Sequence, residues 1–367
     1  MRTVPHKRRR GLTPVEKRNL RTGLLFISPW IIGFSVFMAY PIVMSLYYSL
    51  CDFSVLQPPR FIGAANYQQL FADDVFVQAL SNTVYYAIGA IPLGILLALS
   101  IAMLLNTGVK GMAVYRTIFY LPSLVPSVAL AILWMWIFNG KEGILNYSLK
   151  QIGNHLGALA AGLVAVVLLV RAVASWSRRE PSWVRVAWTV GAVAALVMAV
   201  AAETVPRLAV LNAASLQPPN WLSEPLWVKP AMIIMSLWGT GNAVVIYLAG
   251  LQDVPVHLYE AADLDGANWW QKVRHVTLPM TSPVILFNGI MAIIGTFNFF
   301  AVPFVMAPGG QPARSAYFLA VNLFDNAFLY LRMGYASAMA WILFLIVFVL
   351  TMLAMKLSDR HVHYGGG

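Results

Sequence analysis

Six stretches of this sequence contain no Asp, Glu, Lys or Arg: residues 22–51, 75–109, 117–140, 230–252, 280–313 and 333–355. Each is dominated by Leu, Ile, Val, Phe, Ala and Met. A helix rising 1.5 Å per residue needs about 20 residues to cross about 30 Å of hydrocarbon. Every window is long enough to span a bilayer. Composition agrees, because 59% of the chain is apolar and only 11% is charged, against about 45–50% and about 25% in a soluble domain. So little charge cannot solvate the surface of a 367-residue globule. The fold class expected is an all-α polytopic membrane protein.

Two further apolar stretches, about 156–176 and 184–202, are richer in Ala and Val and carry only Arg171 and Arg185, near their ends. Counting them as spans gives eight. Cytoplasmic segments of membrane proteins are enriched in Lys and Arg. The first 21 residues hold eight: Arg2, Lys7, Arg8, Arg9, Arg10, Lys17, Arg18 and Arg21. With that end inside, the other inside segments carry Lys110, Arg116, Arg171, Arg178, Arg179, Arg185, Lys272, Arg274, Lys356 and Arg360. Thus 18 of the 25 basic residues lie inside, which predicts that both termini are cytoplasmic. The net charge of +11 then reflects membrane orientation, with no nucleic-acid partner implied. The pair 156–202 also fits an Ala/Val-rich hairpin packed outside the bilayer. As a re-crossing pair, it places its four arginines inside, where basic residues belong. The first apolar run, Thr22 to Leu50, is twice the length of a signal-peptide core and reads as a retained anchor.

None of the six strong windows holds an ionisable relay of the kind proton-coupled carriers use. No phosphate-binding G-x-x-x-x-G-K-[ST] loop occurs, so ATP is not expected to bind this chain by that route. The single cysteine, Cys51, excludes an internal disulfide, and the six scattered histidines offer no zinc cluster. His361 and His363 read as solvated tail residues.

Between the sixth and seventh spans the chain reads QDVPVHLYEAADLDGANWWQKVRHVTLPM. Asp253 is expected to cap a short helix that has Pro255 at an early position. That helix would present Leu258, Ala261, Ala262 and Leu264 on one side. Gly266 then breaks it, and a second short helix places Trp269, Val273 and Val276 at helical spacing. Pro279 and Pro283 bracket the start of the next span. Such a bent segment is either an interfacial loop resting on headgroups or a docking element for a cytoplasmic partner.

The spacing Glu260-Ala261-Ala262, three residues, Gly266, nine residues, Val276-Thr277-Leu278-Pro279 resembles the EAA loop of permease subunits of bacterial ABC importers. Val276 stands where that family has Ile. The strings 61–71 (FIGAANYQQLF), 82–86 (NTVYY), 120–146, 221–225 (WLSEP), 307–312 (APGGQP) and 333–338 (MGYASA) resemble its carbohydrate-uptake branch, the maltose- or glycerol-phosphate-type first permease subunit. The resemblance covers nearly everything except about 152–217, which becomes an insertion. It implies six core transmembrane helices plus that hairpin, in the bacterial inner membrane. It implies partners as well: a second permease, two cytoplasmic ATPase subunits and an extracytoplasmic solute-binding protein. No cofactor is expected in this chain, with ATP and Mg on the ATPases. Glu260 would be the polar anchor in an ATPase groove, Ala261, Ala262 and Gly266 the close-packed surface, and Leu278-Pro279 the end of the motif.

The segments expected are a basic N-terminal segment (1–22), spans one to three with an external loop (23–151), the insertion (152–217), the later spans with the EAA loop 253–279 (218–355), and a cytoplasmic tail (356–367). A neutral sugar needs hydrogen-bonding groups and an aromatic face without strong charge. Trp238, Gly241 and Asn242 in the sixth span, with Thr296 and Asn298 in the seventh, form the expected substrate path. Ser, Thr and Asn at that depth also glue helices together, and glycines let helices approach. A self-sufficient channel or secondary carrier for a small polar solute is the alternative class. An embedded enzyme would need a clustered nucleophile, carboxylate pair or metal set, and none is found.

Overall fold

The computed structural model describes residues 13–107, 111–154, 156–177, 181–204 and 218–358. The basic residues before position 13, Lys110, Arg178, Arg179, Arg207 and the tail with Arg360, His361 and His363 lie outside them. Each charge-free window is helical over most of its length. Four helices are long and apolar enough to cross a membrane: α1 (Pro14–Ser49), α3 (Asp74–Leu105), α12 (Trp269–Met306) and α13 (Met333–Ser358). Windows 117–140 and 230–252 are each a bent pair instead of one straight span. In the first, α4 (Met112–Leu124) meets α5 (Ser127–Ile137) at 97°, and in the second α9 (Val228–Trp238) meets α10 (Gly241–Gln252) at 48°. If each pair is one span, the described residues hold six. The first break has a plain cause. Pro126 has no N–H to give, and it holds Val125 extended at φ −72°, ψ 127°.

Two helices contain a wide π turn directly before a proline. In α1 it covers Ser35–Ala39, where the Tyr40 N–H reaches back to Ser35 and Pro41 follows. In α12 it covers Val273–Thr277, where the Leu278 N–H reaches Val273 and Pro279 follows. A proline ring collides with the carbonyl four residues earlier, and a π turn widens the backbone at that point.

The chain divides into two compact units: residues up to Phe76 with Asn322–Ile346, and Val77–Val321 with the chain from Val347. In the first unit, α1 is followed by a β-hairpin, β1 (Cys51–Ser54) against β2 (Gln57–Phe61), with Cys51 opposite Phe61 and Asp52 opposite Arg60. The 61–71 string then earns its place through α2 (Ala65–Ala72). The buried Asn66 amide donates to the Ser49 and Cys51 carbonyls, both at 2.9 Å. The 333–338 string packs on the same hairpin. A Cβ on Gly334 would strike the Cys51 carbonyl, and Tyr335 donates to Asp73 at 2.7 Å.

In the second unit, the 82–86 string clamps a loop. Asn82 donates to the Arg314 and Tyr317 carbonyls and accepts from Lys229, while Thr83 accepts from the Leu319 N–H. Helix α6 (Ile144–Asn154) carries Asn146, which donates to the Gly140 carbonyl and accepts the Trp221 indole N–H at 2.7 Å. An apolar core of Ala98, Leu99, Ala102 and Leu105 with Val244, Tyr247, Leu248 and Leu251 joins α3 to α10, with Val284 of α12 against it.

The insertion forms two helices, α7 (Leu156–Ser177) and α8 (Ser182–Thr204), packed along each other. They bury Ala165, Ala172, Ala192 and Ala195 and leave Leu163, Val170, Val190 and Leu196 more than half exposed. Arg171 is exposed and Arg185 is partly buried.

Asn146 has no accessible surface and satisfies partners on both sides. Asn146→Ala leaves the indole N–H of Trp221 without its acceptor. A loss of about 1–3 kcal/mol is expected, to be read as a lower midpoint of thermal unfolding in detergent micelles. An unchanged midpoint would show that this clamp contributes nothing.

Candidate functional site

The EAA segment lies on α11 (Val256–Leu264), which starts later than the sequence suggests. Asp253 does not cap it. Its N–H bonds back to Ala249, so it closes α10, and Pro255, extended at φ −61°, ψ 128°, occupies the cap position without a side-chain bond. The close of α11 follows expectation. Gly266 takes φ +73°, its N–H bonds to Asp263, and the Ala267 N–H reaches Ala262 at 2.9 Å. These two bonds form a Schellman ending that a residue with a Cβ fits poorly. No separate second helix follows. Asn268 and Gln271 form a capping box that starts α12, and its first turn runs through the π turn into the span.

Glu260 is exposed, and its carboxylate has no ion pair or hydrogen bond among the described residues. Ala261, Ala262 and Gly266 line one side of a surface concavity of about 450 Å³, with Leu258, His275 and Val276 also in its wall. Leu264 beside it is 90% exposed. Leu278 and Pro279 stand outside the concavity, at the base of the span. A small-residue dish with an unpaired carboxylate next to it is a surface without a partner among the described residues. Across its back, Asp263 pairs with Lys272, and Tyr259 bonds to Thr277 at 3.1 Å.

A second feature lies among α3, α9, α10 and α12: a cavity of about 600 Å³. Its wall contains no charged side chain. Of the expected path residues, Asn242 and Thr296 line it, and neither side chain has a hydrogen bond within the described residues. The hydroxyl of Tyr247, also in the wall, is buried without a partner. Tyr86 and Phe299 line it as a stacked pair, 4.5 Å between centroids and 10° apart. Tyr86 was legible only as part of the 82–86 string, since nothing in its spacing ties it to Phe299.

The other expected path residues sit elsewhere. Trp238 lies edge-on to Trp134 at 6.1 Å, and Asn298 donates to the Ile294 carbonyl at 2.9 Å. Gly241 is where the two bent pairs meet, because a Cβ there would run into the Phe119 carbonyl and the Tyr120 Cα. Beyond it, a groove of about 740 Å³ runs past Arg116, Thr117, Tyr120 and Gln252. Asn242 and Ile246 belong to both walls.

Residues 90–364 match the family described as binding-protein-dependent transport system inner membrane component. The probable ABC transporter permease protein YesP of Bacillus subtilis (strain 168) is 33% identical over 353 residues, covering 95% of this chain and 94% of that protein. The lactose transport system permease protein LacF of Rhizobium radiobacter is 30% identical, covering 90% and 92%. Among solved structures, a chain of the bacterial alginate ABC transporter in complex with alginate pentasaccharide-bound periplasmic protein superposes with a TM-score of 0.67. That match is at 20% identity and covers 94% of this chain and 96% of that one, a likeness of fold.

Gly241→Val forces the α4 and α10 backbones apart at their closest approach. The variant is expected to insert but to lose its packing there, seen as faster amide exchange in 117–124 and 239–246 by mass spectrometry. Unchanged exchange would mean that the contact is loose.

Proposed function

Because the chain belongs to the family of binding-protein-dependent transport system inner membrane components, we propose that it is the half-channel through which a sugar, oligosaccharide or polyol enters the cell. It is a multi-pass inner-membrane permease subunit of an ABC importer, a transport component and not an enzyme. The relatives named for lactose transport and for ABC permease function support the carbohydrate reading. The observation that carries the assignment in this chain is the exposed, unpaired Glu260 beside the Ala261–Ala262–Gly266 dish.

In this reading two ATPase subunits, which bind the ATP and Mg, dock from the cytoplasm on α11 of this chain and on the matching helix of a second permease. Glu260 meets a basic group in the ATPase groove. Leu278-Pro279 carries the motion from the first turns of α12 into its membrane-spanning part. A binding protein delivers the substrate from outside. A partly desolvated charge that loses its partner costs roughly 2–5 kcal/mol, which makes Glu260 the sensitive position. The substrate passes the uncharged cavity, where Asn242 and Thr296 offer free hydrogen-bonding groups and the Tyr86–Phe299 pair offers an aromatic wall. Trp238, Gly241 and Asn298 shape the surrounding helices along the same path.

Both termini are cytoplasmic in this proposal, 1–22 as a basic segment and 356–367 as a tail, and 152–217 re-crosses the membrane to give eight spans. The exposed Val and Leu around α7 and α8 support lipid as their surroundings. So does Arg171, exposed near a helix end, where a long basic side chain reaches the headgroups.

Two experiments test this. Membranes carrying the chain with its neighbouring permease, ATPase and binding protein are expected to take up sugar only with ATP, and Glu260→Lys is expected to abolish uptake while the chain still inserts. Uptake by the chain alone on an ion gradient would make it a carrier. Ser177→Cys in a Cys51→Ser background is expected to react with an impermeant maleimide only from the cytoplasmic side. Reaction from outside would reduce the count to six spans.

A further inference from the structure

Helix α11 is joined to the rest of the chain by two pivots. It begins after Pro255, where the backbone is extended, and it ends at Gly266 in the left-handed conformation. A nine-residue helix between two such joints would swing when pushed, and a swinging helix transmits little force. Two side-chain ties cross from it to α12. Asp263–Lys272 is an exposed ion pair, with the aspartate side chain 59% accessible, and such pairs are weak and screened by salt. The other tie is of a different kind. Tyr259, in the middle of α11 and half-buried, reaches Thr277, which is 5% exposed and closes the π turn of α12. The Thr277 hydroxyl also faces the Lys272 carbonyl at 3.4 Å, so the bonds run in series from Tyr259 to Thr277 to the α12 backbone.

We propose that Tyr259 and Thr277 are positioning residues that lock α11 onto α12, so that a push on the EAA surface moves the cavity wall. The π turn supplies the anchor because Pro279 forces the backbone wide there. Eleven and nineteen residues beyond Thr277, the same helix presents Asn288 and Thr296 to the cavity. A rigid joint at Thr277 therefore couples the docking surface to the substrate path without any relay of loops. This proposal rests on the reading of α11 as an ATPase-docking element, but the lock itself can be measured without an ATPase.

Spin labels at His257→Cys on α11 and Ile294→Cys on α12, in a Cys51→Ser background, report the joint by pulsed electron resonance on the full chain in lipid nanodiscs. A single narrow distance is expected for the parent. Tyr259→Phe and Thr277→Val each break the Tyr259–Thr277 bond, the second also losing the bond to the Lys272 carbonyl, and each is expected to raise a second, longer distance about tenfold in population. The double variant is expected to do no more than either single one, and Thr277→Ser is expected to restore the narrow distance. Equal distributions in parent and Tyr259→Phe would overturn the lock, as would a broad distribution in the parent. Repeating the measurement with the ATPase subunits and ATP plus vanadate separates the two claims. If the ATPase never binds while the narrow distance still depends on Tyr259, the docking reading fails and the lock stands.

Discussion

Inside hydrocarbon a backbone N–H or C=O has no water to bond, and each one left unpaired costs several kcal/mol. That penalty decides where this chain can depart from a straight helix. Its two sharpest bends fall at Pro122–Pro126 and at Gly239–Thr240, with a further interruption after Phe297, and the two bends are brought together, with Gly241 against Phe119–Ser123. Short side chains repair the ends that are freed. Ser123 donates to the Tyr120 carbonyl, Thr240 to Leu237, Ser236 to Ile233 and Asn298 to Ile294. Much of the polarity that looks like a substrate path in the sequence is therefore consumed by the backbone. Asn242 and Thr296 differ because their polar atoms are not used in this way, which is why the cavity has hydrogen-bonding groups to offer.

Near the helix ends, the recurring device is an asparagine that satisfies carbonyls of a loop. Asn66, Asn82 and Asn146 each do this from buried positions. An amide presents donors and an acceptor at once, so one side chain can pin an irregular segment on two sides. Lys229 and Trp221 complete the pairing at Asn82 and Asn146. These asparagines fall within the strings that resemble the carbohydrate-uptake permeases, and their role in this chain is to hold loops against helix ends.

The positions of the spans were legible because freedom from charge over 23 or more residues has one physical meaning. The bends were not, since Pro126 and the Gly239–Gly241 pair announce an irregularity without giving its angle. Asp253 illustrates a local rule overridden by its context: good capping chemistry, but a backbone still committed to closing α10. The Gly266 ending was legible because positive φ is so restrictive. The merging of the second short helix into α12 was not, because the Trp269, Val273 and Val276 spacing is the same whether the helix stops or continues. Within the cavity, Asn242 and Thr296 were found by residue type alone. Tyr86 and Phe299 are 213 residues apart, and only the folded chain shows them stacked.

The widened turn of α12 also changes how its faces must be read. A π turn slips one extra residue into the helix, and one residue corresponds to about 100° of rotation. Any projection that carries the phase of Trp269–Val273 straight through Pro279 therefore assigns the wrong residues to the inward side of the span. Counted from Leu278 onward, the buried Thr281, Asn288 and Thr296 fall seven and then eight residues apart, along a single stripe. The proline and its bulge thus act as a phase adjuster, which lets the cytoplasmic turn and the membrane-embedded part of one helix satisfy two different sets of neighbours.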